Sequence, residues 1–174
     1  KTVFDIQFKK LPEFTFSPDG IDDVEFYIST NPGEPAKPLA KIASGGELSR
    51  IMLALKTIFS RHQGVTSIIF DEVDTGVSGR VAQAIGEKIY QISLHSQVLS
   101  ITHLPQVAAL SDYHYLITKE VHQNRTQTSV HPLSEQERIR EIARMIAGAK
   151  ITDATLDHAQ EMLEMAEKRK IVVS

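Results

Sequence analysis

The sequence predicts an α/β fold: a mostly parallel sheet flanked by helices, with an antiparallel strand pair at the amino end. Three observations carry this. Residues 65–70 (Val-Thr-Ser-Ile-Ile-Phe) and 97–102 (Gln-Val-Leu-Ser-Ile-Thr) are short apolar runs on either side of a helix-spaced segment, the pattern of a strand–helix–strand crossover. Phe4, Ile6 and Phe8, and again Val24, Phe26 and Ile28, alternate with polar neighbours, as half-buried strands do. The last forty residues carry apolar positions at helical spacing. A chain of 174 residues with 41% hydrophobic and 24% charged residues suits one domain, 1–174, with a real core.

Each element follows in order. Strand patterns at 2–8 and through Val24, Phe26 and Ile28 flank the turn signal Ser17-Pro18-Asp19-Gly20. Residues 30–38 hold three of the seven prolines and read as an extended loop. After Ser44-Gly45-Gly46 the period changes: Leu48, Ile51, Met52, Leu55, Ile58 and Phe59 mark one face of a helix ending near Gly64. A buried strand at 65–70 precedes a helix at 79–94, whose Ala82, Ile85, Ile89 and Ile92 point inward. A second buried strand, 97–102, leads to a short helix at 104–111 with Pro105 in its first turn. Strands at 113–119 and 126–131 follow. Helices at 134–147 (Ile139, Ile142, Ala143 and Ile146 inward) and 152–169 (Leu156, Ala159, Leu163 and Ala166 inward) close the chain, and the charged run 167–170 reads as a solvated helix end.

Several functions are excluded at once. With no cysteine, there is no disulfide scaffold, thiolate metal site or cysteine nucleophile. No apolar run approaches the roughly 18 residues of a membrane span, and charged residues interrupt every apolar stretch of the first thirty, so no secretory leader is expected there. Nineteen basic against 22 acidic residues give 19 − 22 = −3, against an overall basic nucleic-acid footprint but not against a local patch. The chain begins at Lys1, so a processed chain or a fragment is expected.

Parallel α/β sheets bind ligands at the carboxyl ends of their strands. Here those ends carry Asp71-Glu72 and Thr102-His103. Paired carboxylates after an apolar strand suit a magnesium–nucleotide site, one acid holding the metal or its water and the other activating an attacking water; a strand ending in two solvated acids is the plain alternative. His103, next to that edge, could contact a terminal phosphate. Upstream, Ser44-x-x-Glu47 is a capping box by pattern. Gly45 and Gly46 inside its first turn cost about 1 kcal/mol each relative to Ala, which argues also for a close backbone approach and an anion at the helix terminus. No phosphate-binding G-x-x-x-x-G-K-[ST] loop occurs, nor G-x-G-x-x-G, H-E-x-x-H or G-x-S-x-G. The edge therefore looks hydrolytic but has no phosphate cradle of its own.

In this order the strings become familiar. Ser44-Gly45-Gly46-Glu47, the IIFDE run at 68–72 and His103 after a strand resemble the carboxyl-terminal half of an ABC-type ATPase head, in the SMC-like branch, where a coiled coil separates the halves of each head. Residues 28–34 (ISTNPGE), 41–56 (KIASGGELSRIMLALK), 70–79 (FDEVDTGVSG) and 100–109 (SITHLPQVAA) are closest to that branch's bacterial DNA double-strand-break repair and recombination members. The motif spacings are 71 − 44 = 27 and 103 − 71 = 32 residues. The resemblance implies that Ser44, Gly45, Gly46 and Glu47 are the signature contacting ATP on the opposite head. It makes Asp71 the Walker B ligand of Mg²⁺, directly or through water, Glu72 the general base, Asp74 part of the D-loop at the head–head interface, and His103 the switch histidine.

It further implies partners: the amino-terminal half of the same protein, which would bring the Walker A loop, a second head in a homodimer, and DNA through the full-length protein. The expected location is the bacterial cytoplasm, nucleoid-associated and without a membrane. Three rivals use the same residues: the head of another SMC-like or ABC ATPase, an interaction module in which Ser44 and Asp71 only cap elements, and a metal-dependent phosphohydrolase, disfavoured by the three-residue spacing of Asp71 and Asp74.

Overall fold

A computed structural model describes residues 2–10, 12, 16–18, 20–29, 33–41, 45–59, 67–71, 73–122, 125–148 and 150–173. The chain divides into two compact units, 1–45 and 46–174.

In the first unit, β1 (Val3–Lys10) and β2 (Asp22–Ser29) pair antiparallel, Phe4 opposite Ile28 and Ile6 opposite Phe26. Between them Ser17 and Gly20 exchange two backbone hydrogen bonds, with Gly20 at φ 127°, a conformation that glycine adopts without strain. The rings of Phe4 and Phe26 stack at 5.8 Å. The expectation of half-buried strands is corrected: on this face Ile28 is buried, whereas Phe4, Ile6, Phe8 and Phe26 stay substantially exposed. The proline loop ends in an unforeseen third strand, β3 (Lys37–Pro38), on the outer edge of β2, where a proline's missing N–H leaves no ladder bond broken. A 3₁₀ turn at Leu39–Lys41 follows.

The second unit is built on a parallel pair, β4 (Ser67–Asp71) and β5 (Gln97–Ile101), with Ile68 beside Val98 and Asp71 beside Ile101. The crossover is α2 (Gly79–Ser93), which buries Ala82, Ile85, Ile89 and Ile92 as its periodicity predicts. These meet Ile68, Phe70, Val73 and Val107 in one core. Helix α1 (Gly45–Phe59) adds Leu53. The predicted inward face of α1 is corrected: Leu48, Met52, Ile58 and Phe59 are exposed and Leu53 is buried. This helix is apolar on more than one side, so period alone could not say which side meets the sheet. The strands, too, are covered on one face only, with Ile69 68% exposed and Leu99 and Ile101 half exposed.

Short α3 (Pro105–Ala108) follows β5. The hairpin β6 (Tyr115–His122) and β7 (Arg125–Pro132) pairs antiparallel, as a connection this short requires. Among the described residues β4–β5 is the only parallel pair. Helices α4 (Glu135–Ala147) and α5 (Asp153–Val173) pack Ile142, Ala143, Ala159 and Ala166 against Ala108, Ala109 and Leu110. Ser134 caps α4 in a full capping box with Glu137, a Ser-x-x-Glu pattern present in the sequence and not read there. The solvated end expected at 167–170 is also corrected: Lys170 is buried, its ammonium donating to Asp112, Glu167 and the Ser111 carbonyl.

Candidate active site

Parallel pairing of β4 with β5 sets their carboxyl ends side by side, with Asp71 in register with Ile101. Asp71 ends β4 exposed, a carboxylate free to face a hard cation. Its neighbour Glu72 lies outside the described residues, as does Ser44. Beyond β4 the chain turns inward: Val73 and Asp74 are both 0% exposed. The Asp74 carboxylate is thus taken into the lobe, where a charge is costly without partners. Thr102 Oγ1 donates to Oδ2 of Asp74, and the Leu104 N–H donates to Thr102 Oγ1 at 3.0 Å, which turns the hydroxyl proton toward the carboxylate. The other oxygen, Oδ1, is buried without a hydrogen bond. It faces His103, whose Nδ1 lies 3.7 Å away and whose side chain is 67% exposed. Asp74, expected at the head–head interface, forms one cluster with Thr102 and His103, which spacing alone does not indicate.

The first turns of α1 reach the same loop. Gly46 is buried, and a Cβ there would stand 2.9 Å from the Thr75 carbonyl oxygen. Arg50, not singled out by the sequence reading, donates from Nη1 to that oxygen at 3.0 Å. Gly45 begins the helix; nothing is described of the Glu47 side chain. The chain next turns at Gly76 (φ 73°) and Gly79 (φ 53°), positions where a side chain would strain the backbone, and enters α2. Among the described residues no three acidic or histidine side chains converge on a metal position. The donor set, one exposed carboxylate with space for water and phosphate oxygens, fits Mg²⁺, which takes few protein ligands. A separate cavity of about 380 Å³, between the start of β6, the end of β7 and helices α4 and α5, is lined by Tyr115, Arg138 and Glu164 and by none of these residues.

An α/β lobe with a parallel pair, a crossover helix and acids and a histidine at one edge has the fold of an SMC head. An SMC head domain with coiled coil and joint from Pyrococcus yayanosii matches it over 95% of this chain and 26% of that one, with a TM-score of 0.54 at 18% identity. Sequence comparison narrows this. The chain is 62% identical over 172 residues to the DNA repair protein RecN of Halalkalibacterium halodurans, covering 98% of this chain and 30% of that protein. Against the DNA repair protein RecN of Bacillus subtilis it is 66% identical over 151 residues, 87% of this chain and 26% of that protein. The chain is thus similar to these RecN proteins over most of its own length and spans under a third of theirs. No family profile matches it.

Proposed function

We propose that this chain is the carboxyl-terminal half of a split ATPase head acting in bacterial DNA double-strand-break repair. In this reading residues 1–174 work as one half-head, supplying signature and Walker B groups to ATP and Mg²⁺ held with an amino-terminal half. The observation that carries it is the shared strand edge, where Asp71, the buried Asp74 and His103 lie together beside the start of α1. The RecN relatives and the SMC-head fold support the same assignment.

Each residue then has a task. Asp71 faces the Mg²⁺, which draws charge from the phosphate oxygens when bound. Glu72 takes a proton from the attacking water as its oxygen bonds to the γ-phosphorus and the bond to the β–γ bridging oxygen breaks. His103, exposed at the edge, contacts the γ-phosphate oxygens. Ser44, Gly45, Gly46 and Glu47 serve the nucleotide of a second head, where backbone N–H groups at the helix start and the helix dipole favour phosphate. Two heads related by a two-fold would enclose two nucleotides, so that binding drives pairing and hydrolysis releases it. DNA is engaged by the full-length protein, in the bacterial cytoplasm at the nucleoid. Among the described residues no helix is long and apolar enough to cross a membrane.

The test is reconstitution of this chain with the amino-terminal half, followed by Glu72→Gln and Ser44→Arg. Glu72→Gln should retain ATP binding and lose about 10²–10⁴-fold in turnover. Ser44→Arg should leave binding per head intact and abolish ATP-dependent pairing, read by light scattering. Undiminished hydrolysis in the first or normal pairing in the second refutes the respective role.

A further inference from the structure

The buried carboxylate of Asp74 has one oxygen committed and one without a hydrogen bond. Thr102 and the Leu104 N–H form a directed chain onto Oδ2. Oδ1 is enclosed, with 0% of the residue exposed, and beside it lies the His103 imidazole. A buried carboxylate oxygen without a donor is costly, so a nearby N–H that can reach it will be drawn in. At 3.7 Å the Nδ1–Oδ1 pair is short of a hydrogen bond by less than 1 Å. The exposed imidazole is free to rotate through that distance, whereas Asp74 is held by Thr102 and the packed residues around it.

We propose that Asp74 is a positioning residue for His103, accepting a hydrogen bond from Nδ1–H and thereby directing Nε2 outward at the strand edge. The ring geometry makes this directional, because Nε2 points roughly opposite to Nδ1. With the Nδ1 proton engaged, Nε2 holds the free lone pair. Once protonated, it holds the outward N–H that an anionic oxygen accepts. The logic is that of any imidazole whose tautomer is set by a carboxylate behind it. The inference rests on the ATPase reading only for what Nε2 meets; the positioning is a property of this lobe.

The experiment is a ¹H–¹⁵N correlation of the histidine ring nitrogens in the ¹⁵N-labelled chain at about pH 8, where neutral imidazoles dominate. Loss of signals in His103→Gln provides the assignment. His103 is expected in the Nδ1–H tautomer, and Asp74→Asn is expected to shift it toward Nε2–H while the other histidines stay in place. An Nε2–H tautomer in the unsubstituted chain overturns the proposal, and this holds even if Asp74→Asn fails to fold. A tautomer that ignores Asp74→Asn overturns it as well. In the reconstituted ATPase, Asp74→Asn should lower kcat by roughly 10-fold or more with KM little changed. A shifted tautomer with undiminished turnover upholds the positioning and instead refutes the placing of His103 at the γ-phosphate.

Discussion

Arg50 Nη1 donates a 3.0 Å hydrogen bond to the carbonyl of Thr75, joining α1 to the loop that carries Asp74 across 25 residues of sequence. The bond is exposed, so its share of global stability is small, about 1 kcal/mol. Its local effect is larger on the segment after Asp74, where among the described residues the backbone bond from the Val77 N–H to the Asp74 carbonyl is long, at 3.4 Å. Arg50→Ala should speed amide hydrogen exchange across 75–77 while moving the unfolding midpoint little. Unchanged exchange there would show that the bond does not hold the loop.

Gly86 sits in the middle of α2, where alanine would ordinarily gain about 1 kcal/mol of helix propensity. Here a Cβ would lie 2.7 Å from Leu110 Cδ1 and 3.3 Å from the Val107 Cα. Overpacking typically costs 1–3 kcal/mol, more than the propensity returns. Leu110 can yield at the end of its side chain, whereas relieving the 3.3 Å contact requires the α3 backbone to shift. Gly86→Ala should therefore destabilise the chain in denaturant titration, and a gain in stability would show that α3 gives way.

The capping box at α4 gives a cleaner magnitude. Ser134 N–H donates to Glu137 Oε2 at 2.8 Å, and the Glu137 N–H donates to Ser134 Oγ at 3.5 Å. Donation from the Ser134 hydroxyl, and then from the Ser134 backbone N–H, holds the Glu137 carboxyl below the usual carboxylate range. Ser134→Ala should cost about 1 kcal/mol by thermal unfolding, and Ser134→Asp should recover most of it. Equal stability of the alanine variant would mean that the packing of α4 on α5 alone sets the helix end.

His114 should leave a mark on acid stability. Burial, and then the positive charge of Arg138, push its imidazole below the ordinary histidine value. A lowered folded value means that the unfolded chain takes up the proton first. The stabilising contribution is complete above about pH 6.5 and declines as the pH falls below it. His114→Gln should flatten the stability–pH curve between roughly pH 6.5 and 5. A curve of unchanged slope would mean that His114 takes up its proton equally in both states.

Where one periodic signal dominated, the sequence was a reliable guide to the fold. Helix α2 is apolar on a single stripe, and Ala82, Ile85, Ile89 and Ile92 are buried as read. The same is true of Ile142, Ala143, Ala159 and Ala166 in α4 and α5. Legibility failed where several faces compete. In α1 the core took Leu53 rather than the stripe from Leu48 to Phe59, and Lys37–Pro38 read as loop because a two-residue edge strand has no period of its own. Lys170 looked solvated because charge on a helix end usually is, until Asp112, 58 residues away, came within 2.9 Å.

By itself the sequence determined the crossover that brings Asp71 and His103 to one edge, since parallel strands joined through a helix put their carboxyl ends on the same side. It also carries the similarity to the RecN proteins, 62% and 66% identical over the matched residues. Only the tertiary structure decided that Asp74 turns inward onto Thr102 and His103, and that Gly46 and Arg50 close on Thr75. The physical reason is the same in both cases. Strand order and helix periodicity are local properties that side-chain type encodes. The direction of a carboxylate in a loop depends on which groups the rest of the fold delivers, and at Asp74 they come from Thr102 and His103, 28 and 29 positions distant along the chain.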